Sequence, residues 1–263
     1  MHNRKTFIIL LPIIFVFLFI VGCNNNHEQN SNSAELQIAA ASDLTLAFTE
    51  LGKMFEEETG TKVTFSFGST GQLADQIANG APFDVFAAAN VKFVDDLKAK
   101  GHVMPDSQKM YALGRIGIAT VKDSSLKVTN LEDLLKPEVK KIAIANPDHA
   151  PYGLAAKQAF QAVGIWDEIE TKLVYGRNIS DTLTFIETGN VEAGIIALSL
   201  VKEEDVHFSL IESQLHEPIK QSIAVINGTE QERTAKEFIK FILGPTGQPV
   251  MERYGFSLPK ENE

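Results

Sequence analysis

Short apolar runs alternate along the chain with segments of helical period, and this alternation most limits the folds available to it. Residues 36–40 (LQIAA) form one such run, and residues 44–58 then place Leu44, Phe48 and Leu51 on one helical face. The remaining predicted strands are 63–67, 83–89, 115–121, 140–146, 172–176, 193–199 and 221–227, and the remaining predicted helices are 71–80, 91–99, 152–164, 179–189 and 230–243. Strands that alternate with helices predict the α/β class, in which helices cover largely parallel sheets.

The length of the chain predicts two lobes rather than one. Of the 263 residues, roughly 230 follow the polar N-terminal stretch, which is enough for two α/β units of about 100 residues each. We predict two Rossmann-like lobes with mixed, mainly parallel sheets joined by crossover strands. Residues 36–114 plus 221–263 form the first predicted lobe and residues 115–220 the second, with the chain crossing near 112–118 and 218–224.

The N-terminal segment has the pattern of a secretory signal. Arg4 and Lys5 precede residues 7–21, which carry no charge. This apolar run is shorter than the ~20 residues that a membrane-spanning helix needs, and a basic start followed by a short apolar run is typical of a signal peptide. We predict a signal peptide at residues 1–22. A transmembrane anchor with an incidental cysteine is the alternative.

The apolar run ends at Ile20-Val21-Gly22-Cys23, which resembles the lipobox of bacterial lipoproteins. Cys23 is the only cysteine in the chain, so it forms no internal disulfide. The resemblance implies cleavage before Cys23 and lipid on its thiol, and acyl chains anchor by roughly 0.8 kcal/mol per buried methylene. Residues 23–35 are polar and predict a flexible tether. We therefore expect a lipid-anchored protein on the extracellular face of the cell membrane.

Composition excludes several classes of function. The chain carries a net charge of −10, which argues against nucleic-acid binding, because that affinity rests on Lys and Arg. The histidines that follow the predicted tether, His102, His149, His207 and His216, lack the spacing of metal ligands. We found no catalytic constellation, and we expect neither a metal site nor a cofactor. The pattern is typical of a binding protein rather than an enzyme.

Four turns between predicted strands and helices carry the polar residues of interest. They are Ser42-Asp43, residues 68–71 (GSTG), residues 146–153 (NPDHAPYG) and residues 177–181 (RNISD). In an open parallel sheet, ligands bind beyond the carboxyl ends of the strands, where helix N-termini present free N–H groups that suit an anion. Simple helix capping is the alternative, because Ser, Thr, Asp and Asn are the preferred N-cap residues.

Five segments of the chain resemble the molybdate-binding protein of ABC importers. They are residues 40–44, 65–90, 146–160, 191–199 and 244–256. The resemblance implies the fold of type II periplasmic binding proteins, whose lobes close over one tetrahedral oxyanion without a metal or a basic side chain. It also implies molybdate or tungstate as the ligand, and the membrane subunit of an ABC permease as the partner. We expect a monomer.

The resemblance also implies the residues of the site. Its first serine falls on Ser42, and its second hydroxyl falls on Thr70, with Ser69 beside it. Its backbone donors fall on Tyr152 and Ile179. These positions lie in the four turns described above.

One position departs from the family pattern. The family often has a tyrosine shortly after Gly-Ile-Val, and its hydroxyl meets the anion. Here Ala197 follows Gly194-Ile195-Ile196 and brings no hydroxyl. Tyr152 and Tyr175 are the candidates to replace this donor, and the sequence does not choose between them.

Two other functions stay open at this stage. The first is binding of a different ligand, such as sulfate, ferric ion or a small organic acid. Ferric ion is disfavoured because the four tyrosines are dispersed along the chain. The second is a lipid-anchored serine hydrolase, for which no nucleophile elbow is present.

Overall fold

The structure is a computed structural model that describes residues 35–258. Within that range ten strands form two five-stranded sheets. The strands are β1 (Glu35–Ala41), β2 (Lys62–Gly68), β3 (Val85–Ala88), β4 (Lys109–Gly114), β5 (Ile116–Val121), β6 (Ile142–Ala145), β7 (Leu173–Gly176), β8 (Ala193–Ala197), β9 (Val206–Leu210) and β10 (Ile219–Val225).

The two sheets have the same mixed topology. The order is β2-β1-β3-β10-β4 in the first sheet and β7-β6-β8-β5-β9 in the second. In the first sheet β1 pairs in parallel with β2 and β3, and β10 is antiparallel to both of its neighbours. In the second sheet β6 pairs in parallel with β7 and β8, and β5 is antiparallel to both of its neighbours. Four of the five strands in each sheet therefore run one way, which confirms the predicted fold class.

Eight α-helices connect or flank these strands in the described range. They are α1 (Thr45–Thr59), α2 (Thr70–Ala78), α3 (Val91–Ala99), α4 (Pro151–Ala162), α5 (Trp166–Ile169), α6 (Ile179–Glu187), α7 (Glu232–Leu243) and α8 (Gly247–Arg253). The helix α1 shows why the periodicity was informative, because Phe48, Leu51 and Phe55 lie on its buried face. It ends at Gly60, whose φ of 72° lies in the left-handed region that glycine adopts without strain.

The chain passes twice between the sheets. The first passage is at Arg115, between β4 of the first sheet and β5 of the second. The second passage lies between β9, which ends at Leu210, and β10, which begins at Ile219. Below, "first lobe" means the sheet that contains β1 together with its helices, and "second lobe" means the sheet that contains β6 together with its helices. The lobe limits predicted above stay a prediction.

Two strands and the last helix were not predicted from the sequence. The strands β4 and β9 each lie at the edge of a sheet, and β9 has polar residues between its apolar ones. The helix α8 follows the stop signal at Gly244-Pro245 and contains Pro249 in its first turn. A proline is tolerated there because the N–H groups of a first turn have no partner within the helix.

Some predictions concern residues outside the described range. The signal peptide at 1–22, the lipidation site Cys23 and the tether up to residue 34 all lie there, as do residues 259–263. Glu35, assigned to the tether, is the first residue of β1. Among residues 35–258 no helix is long and apolar enough to cross a bilayer.

An aromatic cluster forms the centre of the first lobe. Phe238 of α7 packs edge-on against Phe55, with ring centroids 5.3 Å apart, and against Phe48 at 6.0 Å. Its side chain is fully buried, and it also contacts Phe65 of β2. The cluster joins α1, α7 and the first sheet, so α7, late in the chain, stabilises the lobe that β1 and β2 begin.

We expect Phe238→Ala to lower the free energy of unfolding by about 3–5 kcal/mol, because it removes a buried ring and leaves a cavity. Urea unfolding followed by circular dichroism measures the change. Arg233→Ala on the same helix is the control, since its side chain is 88% exposed and lies 3.8 Å from Glu237. A similar loss in both variants would contradict the assignment of Phe238 to the core.

Candidate functional site

The strand registers bring four polar turns to one place. In the first sheet Ala41 is level with Gly68, so the turns after β1 and β2 lie side by side. In the second sheet Ala145 is level with Gly176, and the N–H of Asn146 donates to the carbonyl of Gly176. The carboxyl ends of both sheets therefore meet at the cleft between the lobes, as expected for ligand sites of open α/β sheets.

A small cavity lies where these turns meet. Its empty volume is about 190 Å³, including the part open to solvent. The lining residues come from both lobes and are Ala41, Ser42, Asp43, Gly68, Ser69, Thr70, Ala89, Ala150, Pro151, Tyr152 and Ile179. The centre of a water-sized sphere can move within only about 10 Å³ of this space, against about 300–1,000 Å³ for pockets that hold drug-sized organic ligands, so the cavity is too small for an organic substrate. No Lys or Arg is among the lining residues.

Residues from the first turns of three helices line this cavity. Thr70 is the first residue of α2, Tyr152 is the second residue of α4 and Ile179 is the first residue of α6. Amides in the first turn of a helix have no partner within it, and the helix dipole makes that end partly positive. Tyr152 and Ile179 were predicted as backbone donors, and the fold brings both to the cavity.

Two hydroxyl groups are available to a ligand. The Thr70 hydroxyl oxygen accepts a 3.1 Å hydrogen bond from the Ala89 amide, so its proton remains free to donate. The Ser42 hydroxyl has no hydrogen-bond partner in the described range, although the carbonyl of Ser42 accepts from Thr45 and Ser180. Neither hydroxyl caps a helix, which argues against the capping alternative at these two positions.

The side chains of Ser69 and Asn178 already make hydrogen bonds within the protein, whereas the hydroxyl protons of Ser42 and Thr70 remain free. The Ser69 hydroxyl donates to the His149 carbonyl at 2.6 Å and lies 2.7 Å from the His149 Nδ1. Its one proton is therefore occupied by a contact between the lobes, even though Ser69 lines the cavity. Asn178 does cap a helix, because its side chain accepts from the Asp181 amide.

Several hydrogen bonds hold the two lobes together around the cavity. The Ser180 hydroxyl donates to the Ser42 carbonyl at 3.0 Å, and the Ser199 hydroxyl donates to the Asp43 carbonyl at 2.7 Å. The Gly71 amide donates to the His149 carbonyl at 2.9 Å. The lobes are thus in the closed arrangement.

Gly71 is required for the close approach of the start of α2 to His149 of the second lobe. A Cβ atom at Gly71 would lie 2.9 Å from the His149 Cβ and from its carbonyl oxygen, closer than real Cβ contacts allow. A larger residue would therefore push the loop of the second lobe away from the start of α2. The glycine therefore permits close approach of the opposite lobe.

A buried carboxylate completes the interlobe contacts. Asp43 is 1% exposed, and its Oδ2 accepts from the Tyr152 hydroxyl at 2.9 Å and from the Gln221 Nε2 at 2.6 Å. Gln221 in turn accepts from the Tyr111 hydroxyl at 2.6 Å. Burial raises the pKa of Asp43 to about 6, although the hydrogen bonds from Gln221 and Tyr152 oppose the shift. Burial also raises the pKa of both tyrosines well above 10, so they stay neutral.

The candidates for the missing tyrosine hydroxyl are both unsuited in this conformation. The Tyr152 hydroxyl is engaged with Asp43 and Gln221. Tyr175 is 45% exposed on β7 and does not line the cavity. Ala197 is fully buried at the end of β8 and is not among the lining residues either.

The sequence reasoning missed the side chains that join the lobes. Asp43 stood in one of the four turns but was not singled out, and Ser199 was the last residue of a predicted strand. No local sequence pattern marks Gln221 as a functional residue. It lies within a strand, and its partner Asp43 is 178 positions away in the sequence. No group of three His, Cys, Asp or Glu side chains in residues 35–258 is placed to hold a metal ion.

Comparison with known proteins identifies the family. A family model described as a bacterial extracellular solute-binding protein matches residues 36–257. The chain belongs to this family. This solute-binding protein is 33% identical over 232 residues to the molybdate-binding protein of Azotobacter vinelandii. The aligned region covers 87% of this chain and 92% of that one. It is 32% identical over 225 residues to the molybdate-binding protein of Rhodobacter capsulatus, covering 85% and 88% of the two chains.

A further relative extends the match toward the N-terminus. A protein of Bacillus subtilis named as an ABC transporter substrate-binding lipoprotein is 29% identical to this solute-binding protein over 262 residues, covering 96% of this chain and 98% of that one. The relatives are substrate-binding proteins of transport systems. The predicted resemblance to the molybdate-binding proteins of ABC importers is therefore confirmed, and the solute-binding protein is not an enzyme.

Solved structures agree with this assignment. The periplasmic molybdate-binding protein of Azotobacter vinelandii superposes with a TM-score of 0.81 at 26% identity, covering 86% of this chain and all of that one. The sulfate-binding protein of Mycobacterium tuberculosis has a TM-score of 0.72 at 13% identity and covers 87% of this chain and 88% of its own. At that identity the second likeness shows a shared fold alone.

We expect the buried Asp43 carboxylate to make the stability of the ligand-free protein depend on pH. Its folded-state pKa of about 6 lies above the ordinary aspartate value of 3.8, so its ionisation opposes folding. Relative to Asp43→Asn, the wild type should lose about 3 kcal/mol of unfolding free energy as pH rises from about 4 to about 6, and no more above that range.

Urea unfolding of both proteins at a series of pH values measures this difference. Asp106→Asn, at an exposed position, controls for the change of charge alone. A difference between wild type and Asp43→Asn that stayed constant across this range would contradict the raised pKa.

Proposed function

We propose that this solute-binding protein captures molybdate at the cleft between its lobes and delivers it to an ABC permease. The observation that carries the proposal is the meeting of three helix N-termini and two free hydroxyls in a small cavity without basic side chains. Partial positive charges of this kind suit a fully ionised oxyanion in a water-poor site. Relatives named as molybdate-binding proteins at 32–33% identity support the choice of ligand.

The donors should select among oxyanions in two ways. Hydrogen phosphate carries a proton that needs an acceptor, and Asp43 supplies the only carboxylate among the lining residues, so the site disfavours hydrogen phosphate when Asp43 is protonated. Sulfate has the same charge as molybdate and no proton, so only the size of the cavity rejects it. Tungstate is close to molybdate in size, and we propose that it binds as well.

Binding should favour the closed arrangement of the lobes. An oxyanion that contacts Ser42 and Thr70 in the first lobe, and the amides of Tyr152 and Ile179 in the second, makes its full set of contacts only when the lobes meet. A ligand shifts an equilibrium between two states by its difference in affinity for them. The closed form would then present one surface to the permease.

We also propose that lipid on Cys23 anchors the protein to the outer face of the cell membrane. The support is the lone cysteine after a short apolar run, together with the relative named as a lipoprotein at 29% identity over nearly the whole chain. An anchored monomer would stay close to its permease while the polar segment after Cys23 lets it reach the membrane subunit. Radiolabelled palmitate incorporation in the wild type and not in Cys23→Ala would test this anchor.

We expect sodium molybdate and sodium tungstate to raise the melting temperature, and sulfate and phosphate to raise it much less. A ligand that binds only the native state stabilises it by about 2.7 kcal/mol at 100 times its Kd, or roughly 5–10 °C for a domain of this size. Differential scanning fluorimetry with each anion measures the shift. Equal shifts with sulfate would assign the site to another oxyanion.

We expect Ser42→Ala combined with Thr70→Ala to weaken molybdate binding by at least about 100-fold, since hydrogen bonds to a charged group contribute about 1.5–3 kcal/mol each. Isothermal titration calorimetry measures the affinity. Thr49→Ala combined with Thr188→Ala is the matched control, because both hydroxyls are exposed and bond to helix carbonyls. Thr70→Ser should keep most of the affinity, and unchanged binding by the Ser42, Thr70 double variant would place the site elsewhere.

A further inference from the structure

An anion site assembled from dipoles also contains a buried carboxyl group. Asp43 lines the cavity and follows directly after Ser42. Its neighbours there are neutral, and no Lys or Arg lines the same space. A dianion in this cavity would face an ionised carboxylate at short range in a medium of low dielectric constant, where repulsion between like charges is strong. The charge of Asp43 therefore has to be accounted for when the ligand binds.

The two oxygens of Asp43 have different surroundings. Oδ2 accepts hydrogen bonds from Tyr152 and Gln221, whereas Oδ1 is buried without a partner in the described range. A proton added to this carboxyl group belongs on Oδ1, because Oδ2 already serves as the acceptor of two donors. Protonation then leaves the contact between Asp43 and Tyr152 intact. It also turns Oδ1 from an acceptor into an O–H group that can donate a hydrogen bond.

The elements packed against residues 42–44 do not offer Asp43 a charged partner. They are α1, α6, β2 and the turn at 198–200, while Tyr152 and Gln221 reach it from α4 and β10. Their charged residues are Glu50, Lys53, Glu56, Glu57 and Glu58 on α1, Asp181 and Glu187 on α6, Lys62 on β2, Lys157 on α4 and Lys220 on β10. None of these forms a hydrogen bond or ion pair with Asp43 in the structure. Tyr111 and Tyr152 stay neutral, and His149 contacts Ser69 instead.

We propose that Asp43 binds the oxyanion in its protonated form, with Oδ1–H as an additional hydrogen-bond donor, so that capture of the dianion takes up one proton from solvent. This inference rests on the proposed function and concerns the same site. It also provides a replacement for the donor that Ala197 does not supply, because the Tyr152 hydroxyl is committed to Asp43 and Tyr175 is outside the cavity. Asp43 acts here as a residue that binds ligand and sets its pH dependence.

The coupling has a direct consequence for affinity. Burial raises the pKa of Asp43 to about 6 in the free protein, and a bound dianion raises it further, since it favours the protonated form. Between these two pKa values the affinity for molybdate should fall by up to tenfold for each unit of rising pH, because each binding event must then draw a proton from solvent. Below about pH 6 the affinity should become independent of pH.

Calorimetry of the full chain tests the coupling directly. Molybdate is titrated at pH 7.5 in two buffers of different ionisation enthalpy, and the change in observed enthalpy counts the protons taken up. We expect close to one proton for the wild type and none for Asp43→Asn, whose amide can accept from Tyr152 and donate to the anion at any pH. We also expect Asp43→Asn to bind at least as tightly as the wild type at pH 8.

His149→Asn removes the imidazole that contacts Ser69 of the cavity lining, and proton uptake should persist in it. Molybdate binding without proton uptake in the wild type would overturn the coupling and leave the proposed function standing. Uptake that survives in Asp43→Asn, or that disappears in His149→Asn, would assign the proton to another group and overturn the role of Asp43. Absence of binding for molybdate, tungstate, sulfate and phosphate alike would overturn both proposals.

Discussion

The hydrogen bond from the Tyr152 hydroxyl to Asp43 is the contact on which the closed structure of this protein depends. It joins the turn after β1 to the start of α4 in the opposite lobe, and both partners are buried. Gln221 donates to the same carboxylate oxygen and to the Tyr152 hydroxyl. An unsatisfied carboxylate would be costly in such surroundings, so these neutral donors are what allow Asp43 to stand at the centre of the cleft.

Around that contact, the protein presents partial charges instead of full ones. The starts of α2, α4 and α6 meet at the cavity, and Ser42 and Thr70 add hydroxyl protons that no other described residue uses. Fixed dipoles of this kind need no reorganisation when an anion enters. A cationic side chain would bind many anions tightly, whereas an array of neutral donors can discriminate by shape and by protonation state. The acidic surface of the chain is compatible with such a site, because the dipoles act at short range.

How far the sequence predicts this arrangement depends on how local the signal is. The helices α3 and α6 begin where the periodicity places them, and the capping residues Asn90 and Asn178 act as caps. The edge strands β4 and β9 escape detection, whereas β2 and β7, which lie at the opposite edges of the same sheets, are predicted, so an edge position does not by itself hide a strand. Ser69 shows the same limit within the site, since its hydroxyl could have served a cap, a ligand or the opposite lobe, and His149 took it.

The sequence by itself determined the α/β class, the largely parallel sheets and the four turns that meet at the cleft. These follow from periodicity and from the rule that parallel strands end at one edge, both of which are local or topological. Only the tertiary structure decided which donors remain free and that Asp43 is buried beside them. Gln221 and Asp43 are 178 positions apart, and no local pattern encodes their contact. The physical reason is that burial and hydrogen-bond partners, and therefore pKa, depend on groups brought together only when both lobes have folded.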